Sequence, residues 1–316
     1  MSAPYQPPRF IPPSGSVLKN KVVVLTGGAA GIGSATVRLL HQAGAHVFFG
    51  DVLDDEGSKL ENDLTGSEAA VRYIRCDVTS YEDNLRLFDA AFNAFGRIDH
   101  AWSNAGIGEQ GDIFDPSLTL NDVKTEPNRS LKVLDVNLKG PLYFARIASV
   151  YLRQGDQSGD RSLLFTSSVE SQVLCNTMYL VIDCEHSSVY VPTKHGVLGL
   201  MRVVRDRFAR SPYSLRTNAI CPWATVTRMF EGIRDIWERS GLPSNQPEDV
   251  AKIVVGVLSD PQQKGGALYV EGGRAWDVEA GLLHTRPQWL GERQTKDLDA
   301  GTLVLGSGED WVKNQK

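Results

Sequence analysis

The chain has 316 residues, 41% of them apolar and 22% charged, with 33 Lys and Arg against 38 Asp and Glu for a formal charge of -5. Those proportions are ordinary for a globular protein and exclude a disordered chain, a collagen-like repeat and a charge-driven coiled coil. No basic surplus exists to neutralise phosphates, so nucleic acid is not an expected partner.

No apolar run approaches the roughly 20 residues that span a bilayer, so no membrane partner is expected either. Cys76, Cys175, Cys184 and Cys221 form no CxxC pair, which points to reduced thiols in a cytoplasmic protein with no metal site. Cys175 and Cys184 stand close enough in sequence to pair under oxidation.

Residues 1–20 read as an arm, because Pro4, Pro7, Pro8, Pro12 and Pro13 fix φ and remove donors. From Lys21 to Gly273 short apolar runs alternate with segments of helical period. The runs are Val22–Leu25, His46–Gly50, Val71–Ile74, Ile98–Trp102, Leu163–Thr166, Arg216–Ile220 and Ala267–Val270. Strands that are apolar almost throughout and separated by helices predict a parallel sheet buried on both faces. The expectation is an α/β fold, a single doubly wound Rossmann domain over residues 21–273 with a seven-stranded parallel sheet. Residues 274–316 break the rhythm and read as a C-terminal extension, either packed on the body or on a second subunit, or loose.

The first run leads into Thr26-Gly27-Gly28-Ala29-Ala30-Gly31-Ile32-Gly33 and then a helix. A glycine-rich turn there lets backbone N–H groups approach a phosphate at the positive helix end. A P-loop shares the spacing of Gly28 and Gly33, but Ser34 stands where that motif needs Lys. Asp51 closes the second strand, 18 residues beyond Gly33. An acid at that place suits the ribose hydroxyls and repels a 2′-phosphate, and neither Gly27–Ile32 nor Val52 offers a cation to receive one. NAD is therefore favoured over NADP, although a strand-end turn aspartate would look the same. Tyr190 and Lys194 stand at i and i+4 on one helix face, where an ammonium favours the phenolate and a proton can be exchanged near neutral pH. Taken alone, that spacing also fits a surface helix.

Together these residues resemble the short-chain dehydrogenase/reductase family, in the group with a TGxxxGxG loop. The resemblance covers residues 21–273 and extends to Cys76-Asp77-Val78-Thr79, Ser103-Asn104-Ala105-Gly106, Val136-Asn137-Leu138-Lys139-Gly140, Thr166-Ser167-Ser168 and Asn218-Ala219-Ile220-Cys221-Pro222. It implies that Gly27, Gly31, Ile32 and Gly33 hold the dinucleotide, with Asp51 and Val52 at the ribose and Asp77 and Val78 at adenine. Asn104, Ala105 and Gly106 would lie beside the adenosine ribose, and Pro222 and Thr227 at the carboxamide. Ser168 would bind the reacting oxygen and Tyr190 exchange its proton. Lys194 would hold the nicotinamide ribose and lower the phenol pKa, and Asn137 would support a proton relay. Ser167 is the register alternative to Ser168, and Asn137 has the alternative of binding backbone only.

Three departures stand out. Ser168 and Tyr190 are 22 residues apart, against about a dozen in the family, which places an inserted loop near Leu180–Ser188. Trp223 follows Pro222 where the family has glycine, and the stretch between Gly106 and Asn137 is long. Val173, Trp223, Met229 and Phe230, with Leu174, Met178, Tyr179 and Trp237, predict an apolar pocket for a bulky secondary alcohol or ketone. Arg228 and Arg234 are either carboxylate ligands or a solvated helix face. Trp223 and the extended tail resemble fungal dehydrogenases of secondary metabolism. The resemblance implies NAD-dependent oxidoreduction of a small-molecule substrate in a homodimer or homotetramer built on helices within Leu131–Leu152 and Tyr190–Arg210. Hidden-redox chemistry, a non-catalytic dinucleotide sensor and an NADPH-dependent reductase are the alternatives.

Overall fold

The computed structural model describes residues 5–6, 8–13, 17–155, 159–171, 187–209 and 215–305. Val173, Leu174, Met178, Tyr179, Cys175, Cys184 and most of the inserted loop lie outside the described residues. In chain order the elements are β1 (Arg9–Phe10), β2 (Val22–Thr26), α1 (Gly31–Gln42), β3 (His46–Asp51), α2 (Asp54–Asp63), β4 (Val71–Arg75), α3 (Tyr81–Phe95) and β5 (His100–Ser103). Then follow α4 (Asn128–Leu134), α5 (Gly140–Tyr151), β6 (Ser162–Thr166), α6 (Tyr190–Ala209), β7 (Arg216–Pro222), α7 (Arg234–Ser240) and α8 (Pro247–Ser259). The chain continues through β8 (Ala267–Glu271), β9 (Arg274–Asp277), α9 (Val278–Leu290) and α10 (Glu292–Leu305).

The seven expected strands, β2 to β8, are parallel. The expected total is corrected: the sheet has nine strands, in the order β1-β9-β8-β7-β6-β5-β2-β3-β4. The two additions are antiparallel and sit at one edge. Gly272 and Gly273 both take positive φ, 54° and 72°, so the chain turns back on itself within two residues and β9 pairs with β8. The arm then adds Arg9 and Phe10 opposite Trp276 and Ala275. Its prolines are tolerated because an edge strand needs donors on one side only. Tyr5 stacks on His284 with ring centroids 4.5 Å apart, joining arm to extension.

Alternate residues of each central strand face opposite layers. Val22, Val24, Ala101, Leu163 and Phe165 pack with Leu87 and Phe88 of α3, Phe144 of α5 and Met201 of α6. Val23, Leu25, Trp102, Leu164 and Ile220 pack with Val37 and Leu40 of α1 and Val250, Ile253 and Val254 of α8. Both faces are thereby covered, which is why the strands carry no polar alternation. The chain order reverses between β2 and β5, and that switch point opens a crevice at the carboxyl ends of the strands. Among the described residues no helix is long and apolar enough to cross a membrane.

Candidate active site

At the switch point the glycine turn is a backbone device. Gly27 and Gly31 hold φ of 68° and 53°, a region that side chains rarely enter. A Cβ on Gly33 would stand 1.8 Å from the Gly27 carbonyl oxygen, so only glycine lets α1 approach the turn this closely. No side chain caps the N-terminus of α1 at Ala30, which leaves its first N–H groups facing the crevice beside Ile32. Asn104 closes the turn from β5, donating Nδ2 to the Gly27 carbonyl at 3.0 Å, and Ala105 lies against Gly27. The arrangement fits a dinucleotide: glycine cradle, free helix terminus and an acid on the neighbouring strand.

That acid is Asp51. Its Oδ2 accepts from the Ala29 N–H at 2.9 Å and Oδ1 from the Val52 N–H at 2.8 Å, so the carboxylate is fixed beside the turn. The nearby Arg75 is tied to Asp54 at 2.6 Å. Asp77 is exposed and accepts from Thr79, while Val78 is buried against Gly140. Thr227 lies across the turn, its Cγ2 standing 3.1 Å from where a Gly31 Cβ would be. Pro222 ends β7 five residues earlier.

Ser168, Tyr190 and Lys194 come together where β6 meets the first turns of α6. A hydrogen bond links Ser168 to the Tyr190 phenol, and the Lys194 Nζ stands 5.5 Å from the centroid of the Tyr190 ring. Ser168 Oγ also accepts from the Glu170 N–H at 3.2 Å. Ser167, the register alternative, points elsewhere: its hydroxyl donates to the Lys194 carbonyl at 2.8 Å. Lys194 is buried and donates to the Thr166 carbonyl at 3.2 Å, and burial pushes its ammonium down to about 8. Burial, with the Glu170 carboxylate adding to it, raises the Tyr190 phenol above its ordinary range, and the Ser168 hydrogen bond works the other way.

Asn137 sits on a single π-helical turn, Asp135–Lys139, between α4 and α5, a distortion common at functional sites. Its amide binds backbone both ways, accepting from the Ile107 N–H at 2.9 Å and donating to the Ile107 carbonyl at 2.8 Å. Gly106 lies between Asn137 and Lys194, and a Cβ there would come within 3.4 Å of both side chains.

The apolar residues divide. Trp223, Phe230 and Trp237 form a small buried cluster of their own. Both indole N–H groups donate to the Pro243 carbonyl, at 3.0 and 3.2 Å, and the two ring systems meet edge-on at 5.2 Å. The cluster braces the chain from β7 to α7. Met229 remains exposed and stands over Gly108. Arg228 pairs with Glu56 at 2.7 Å and Arg234 with Glu231 at 2.5 Å.

Two acids escaped the sequence reading. Glu109 accepts the N–H groups of Val189 and Tyr190, and the charge of Glu170 acts on both Tyr190 and Lys194. Burial raises the Glu170 carboxyl, Lys194 opposes this, and Glu109 adds to it. One oxygen of each, Glu109 Oε1 and Glu170 Oε2, is buried without a hydrogen-bond partner. No local spacing marks either residue, since the contacts of Glu109 span about 80 positions.

A family model described as enoyl-(acyl carrier protein) reductase matches residues 27–274. The chain is 33% identical to the short-chain dehydrogenase/reductase ascJ of Acremonium egyptiacum, over 85% of this chain and 84% of that one. It is 31% identical to a 3-alpha-(or 20-beta)-hydroxysteroid dehydrogenase of Mycobacterium tuberculosis, over 93% and 98%. In fold it is similar to the 3-ketoacyl-(acyl-carrier-protein) reductase of Brucella melitensis complexed with NADH, with a TM-score of 0.65 at 20% identity over 81% and 98% of the two chains. With the glycine turn, the Ser168–Tyr190–Lys194 convergence and a match over most of its length, the chain belongs to the short-chain dehydrogenase/reductase family of oxidoreductases, which act on CH–OH groups.

Proposed function

We propose that the protein is an NAD(H)-dependent enzyme that interconverts a secondary alcohol and its ketone on a bulky, largely apolar small molecule. The observation that carries this reading is the meeting of Ser168, Tyr190 and Lys194 beside Gly106, at the end of a crevice that begins with the glycine turn. Members of the family bind a nicotinamide dinucleotide, which supplies the hydride donor or acceptor. Gly27 to Gly33 would hold its pyrophosphate, Asp51 the adenosine ribose, Lys194 the second ribose and Thr227 the carboxamide.

The remaining chemistry falls to side chains of this chain. A phenol carries its proton at neutral pH, and burial raises that of Tyr190 further, so in reduction it donates its proton to the carbonyl oxygen while Ser168 holds that oxygen. In oxidation the phenolate takes the hydroxyl proton, with the Lys194 cation offsetting its charge. Asn137 fixes the backbone at Ile107 behind Lys194 and so orders the path by which the proton reaches water.

Asp51, anchored by the N–H groups of Ala29, Val52 and Leu53, supports NAD over NADP, with Arg75, the cation at the Val52 carbonyl, tied up by Asp54. Met229, exposed and standing over Gly108, supports an apolar substrate. So does the relative named for hydroxysteroids, which are bulky apolar alcohols. A place in secondary metabolism and a homodimer or homotetramer rest on the resemblance to fungal dehydrogenases and on the helices α5 and α6.

The test is a titration with NAD and NADP against a panel of bulky secondary alcohols, read as absorbance of the reduced cofactor. NAD is expected to give the higher kcat/KM, and Tyr190→Phe to keep NAD binding while losing about a thousandfold in turnover. Preference for NADP, product formed without net absorbance change, or an active Tyr190→Phe variant would each overturn the corresponding part.

A further inference from the structure

We propose that Glu109 is the positioning residue that fixes the proton-transfer tyrosine, acting from across the crevice as the cap of helix α6; this rests on the reading of Tyr190 given above. Tyr190 is the first residue of α6. The first N–H groups of a helix have no carbonyl of their own helix to bind, so an outside acceptor decides where the helix starts and how its first side chain is aimed. Glu109 Oε2 supplies that acceptor, taking the Val189 N–H at 2.9 Å and the Tyr190 N–H at 2.6 Å. A carboxylate is the favoured group at this positive end.

The same segment makes a second clasp. Ser188 Oγ accepts from the Ile113 N–H at 3.4 Å and lies 3.3 Å from Asp112 Oδ1. Glu109 itself stands three residues beyond Gly106, whose neighbours Asn104 and Ala105 close the glycine turn. One short stretch thus touches the dinucleotide turn, Lys194 and Asn137 through Gly106, and the start of α6 through Glu109. It sets the distance between the cofactor crevice and the phenol, so Glu109 acts through Tyr190 and touches no reacting atom.

Three variants separate this from a role in folding or in charge alone. Glu109→Gln keeps an acceptor oxygen at the same reach, Glu109→Ala removes it, and Glu109→Asp keeps the charge but withdraws the oxygen by one methylene. Glu109→Ala and Glu109→Asp are expected to lose about a hundredfold in kcat, the scale of a 1 Å misplacement, with KM for NAD held within about twofold. Glu109→Gln is expected to recover most of that loss. Amide hydrogen exchange at residues 188–191 is the readout that needs no activity: faster in the Ala and Asp variants, close to wild type in Gln. Unchanged exchange in Glu109→Ala, a Gln variant no better than Ala, or an Asp variant equal to wild type overturns the proposal. An inactive wild-type protein would defeat the reading of Tyr190 as proton donor and leave the exchange result to decide the cap.

Discussion

The two edges of the sheet bury charge in opposite ways. At the amino ends of the strands, Asp99 is 1% exposed and accepts from the Val22 N–H at 2.8 Å while pairing with Arg161. Arg216 reaches Asp160 through two bonds of 2.7 and 2.5 Å, and its other donors go to the carbonyls of Val257, Leu258 and Gln263. At the carboxyl ends, Lys194 is as deeply buried but is held by a neutral carbonyl, and two carboxylate oxygens nearby have no partner. Buried polar groups left short of partners are costly. The first edge therefore matches its buried charges with opposite charges, although the Thr217 hydroxyl there is also without a partner, and the second keeps charged groups that a substrate and cofactor can use.

Lys194→Met breaks this contrast where the effect is largest. Burial holds the ammonium near pKa 8 against an ordinary 10.5. At neutral pH the folded protein carries a buried charge that costs roughly 3 kcal/mol by that shift. The unfolded chain binds the proton more tightly, so this penalty is present below pH 8 and relaxes as pH rises from 8 to 10.5. Methionine removes the charge and keeps the length. Turnover is expected to fall about a thousandfold while the denaturation midpoint rises, and the rise should shrink toward pH 10. A variant that is less stable than wild type at pH 7 would contradict the account.

At the opposite edge, Arg216→Met should do the reverse. It strands a partly buried Asp160 and three carbonyls, and breaking such a pair costs about 3 kcal/mol, the lower end for a buried one. Urea unfolding is expected to show that loss. The kcat of the folded fraction, measured at a temperature where both proteins are native, should stay within about twofold, because the network faces away from the crevice. Equal losses in stability and in kcat would mean that the edges are coupled.

How much of this was readable beforehand depends on whether a residue's role is local. The seven parallel strands announce themselves as short, largely apolar runs, because both faces of the sheet are buried. β1 and β9 do not, being two and four residues long, although Gly272-Gly273 is a hairpin signal that the alternating pattern overshadowed. The glycine turn between β2 and α1, Asp51 at the end of β3 and Tyr190 and Lys194 on α6 are likewise local, and their places in the fold were legible. The two-way grip of Asn137 on Ile107 was not, since an amide's partners depend on how α4 and α5 join through a π turn. Trp223 reads from sequence as a pocket wall; its burial against Trp237 and its bond to Pro243 depend on a loop that returns 20 residues later. Glu109 and Glu170 show the same limit. Their meaning lies in which distant groups each oxygen meets, and only the fold decides that.

His100 offers the smallest and sharpest test of the amino-end network. It is 1% exposed, its Nδ1 lies 2.8 Å from Ser162 Oγ, and burial lowers its pKa to about 4 from 6.5. Asp160 opposes that shift and Arg216 adds to it. Above pH 6.5 the imidazole is neutral in both folded and unfolded chains and affects neither. As pH falls from 6.5 to 4, the unfolded chain takes up a proton that the native state refuses. Stability is then lost over that window, by at most roughly 3 kcal/mol. His100→Asn places an amide nitrogen or oxygen near the position of Nδ1 and removes the titration. Its unfolding free energy, followed in urea from pH 7.5 to 4.5, should decline less steeply than that of the wild type, with the difference confined below pH 6.5. Parallel lines for the two proteins would show that acid sensitivity enters through the carboxylates of the network, Asp160 first, whose pKa is lowered by its bonds to Arg216 against the opposing effect of burial.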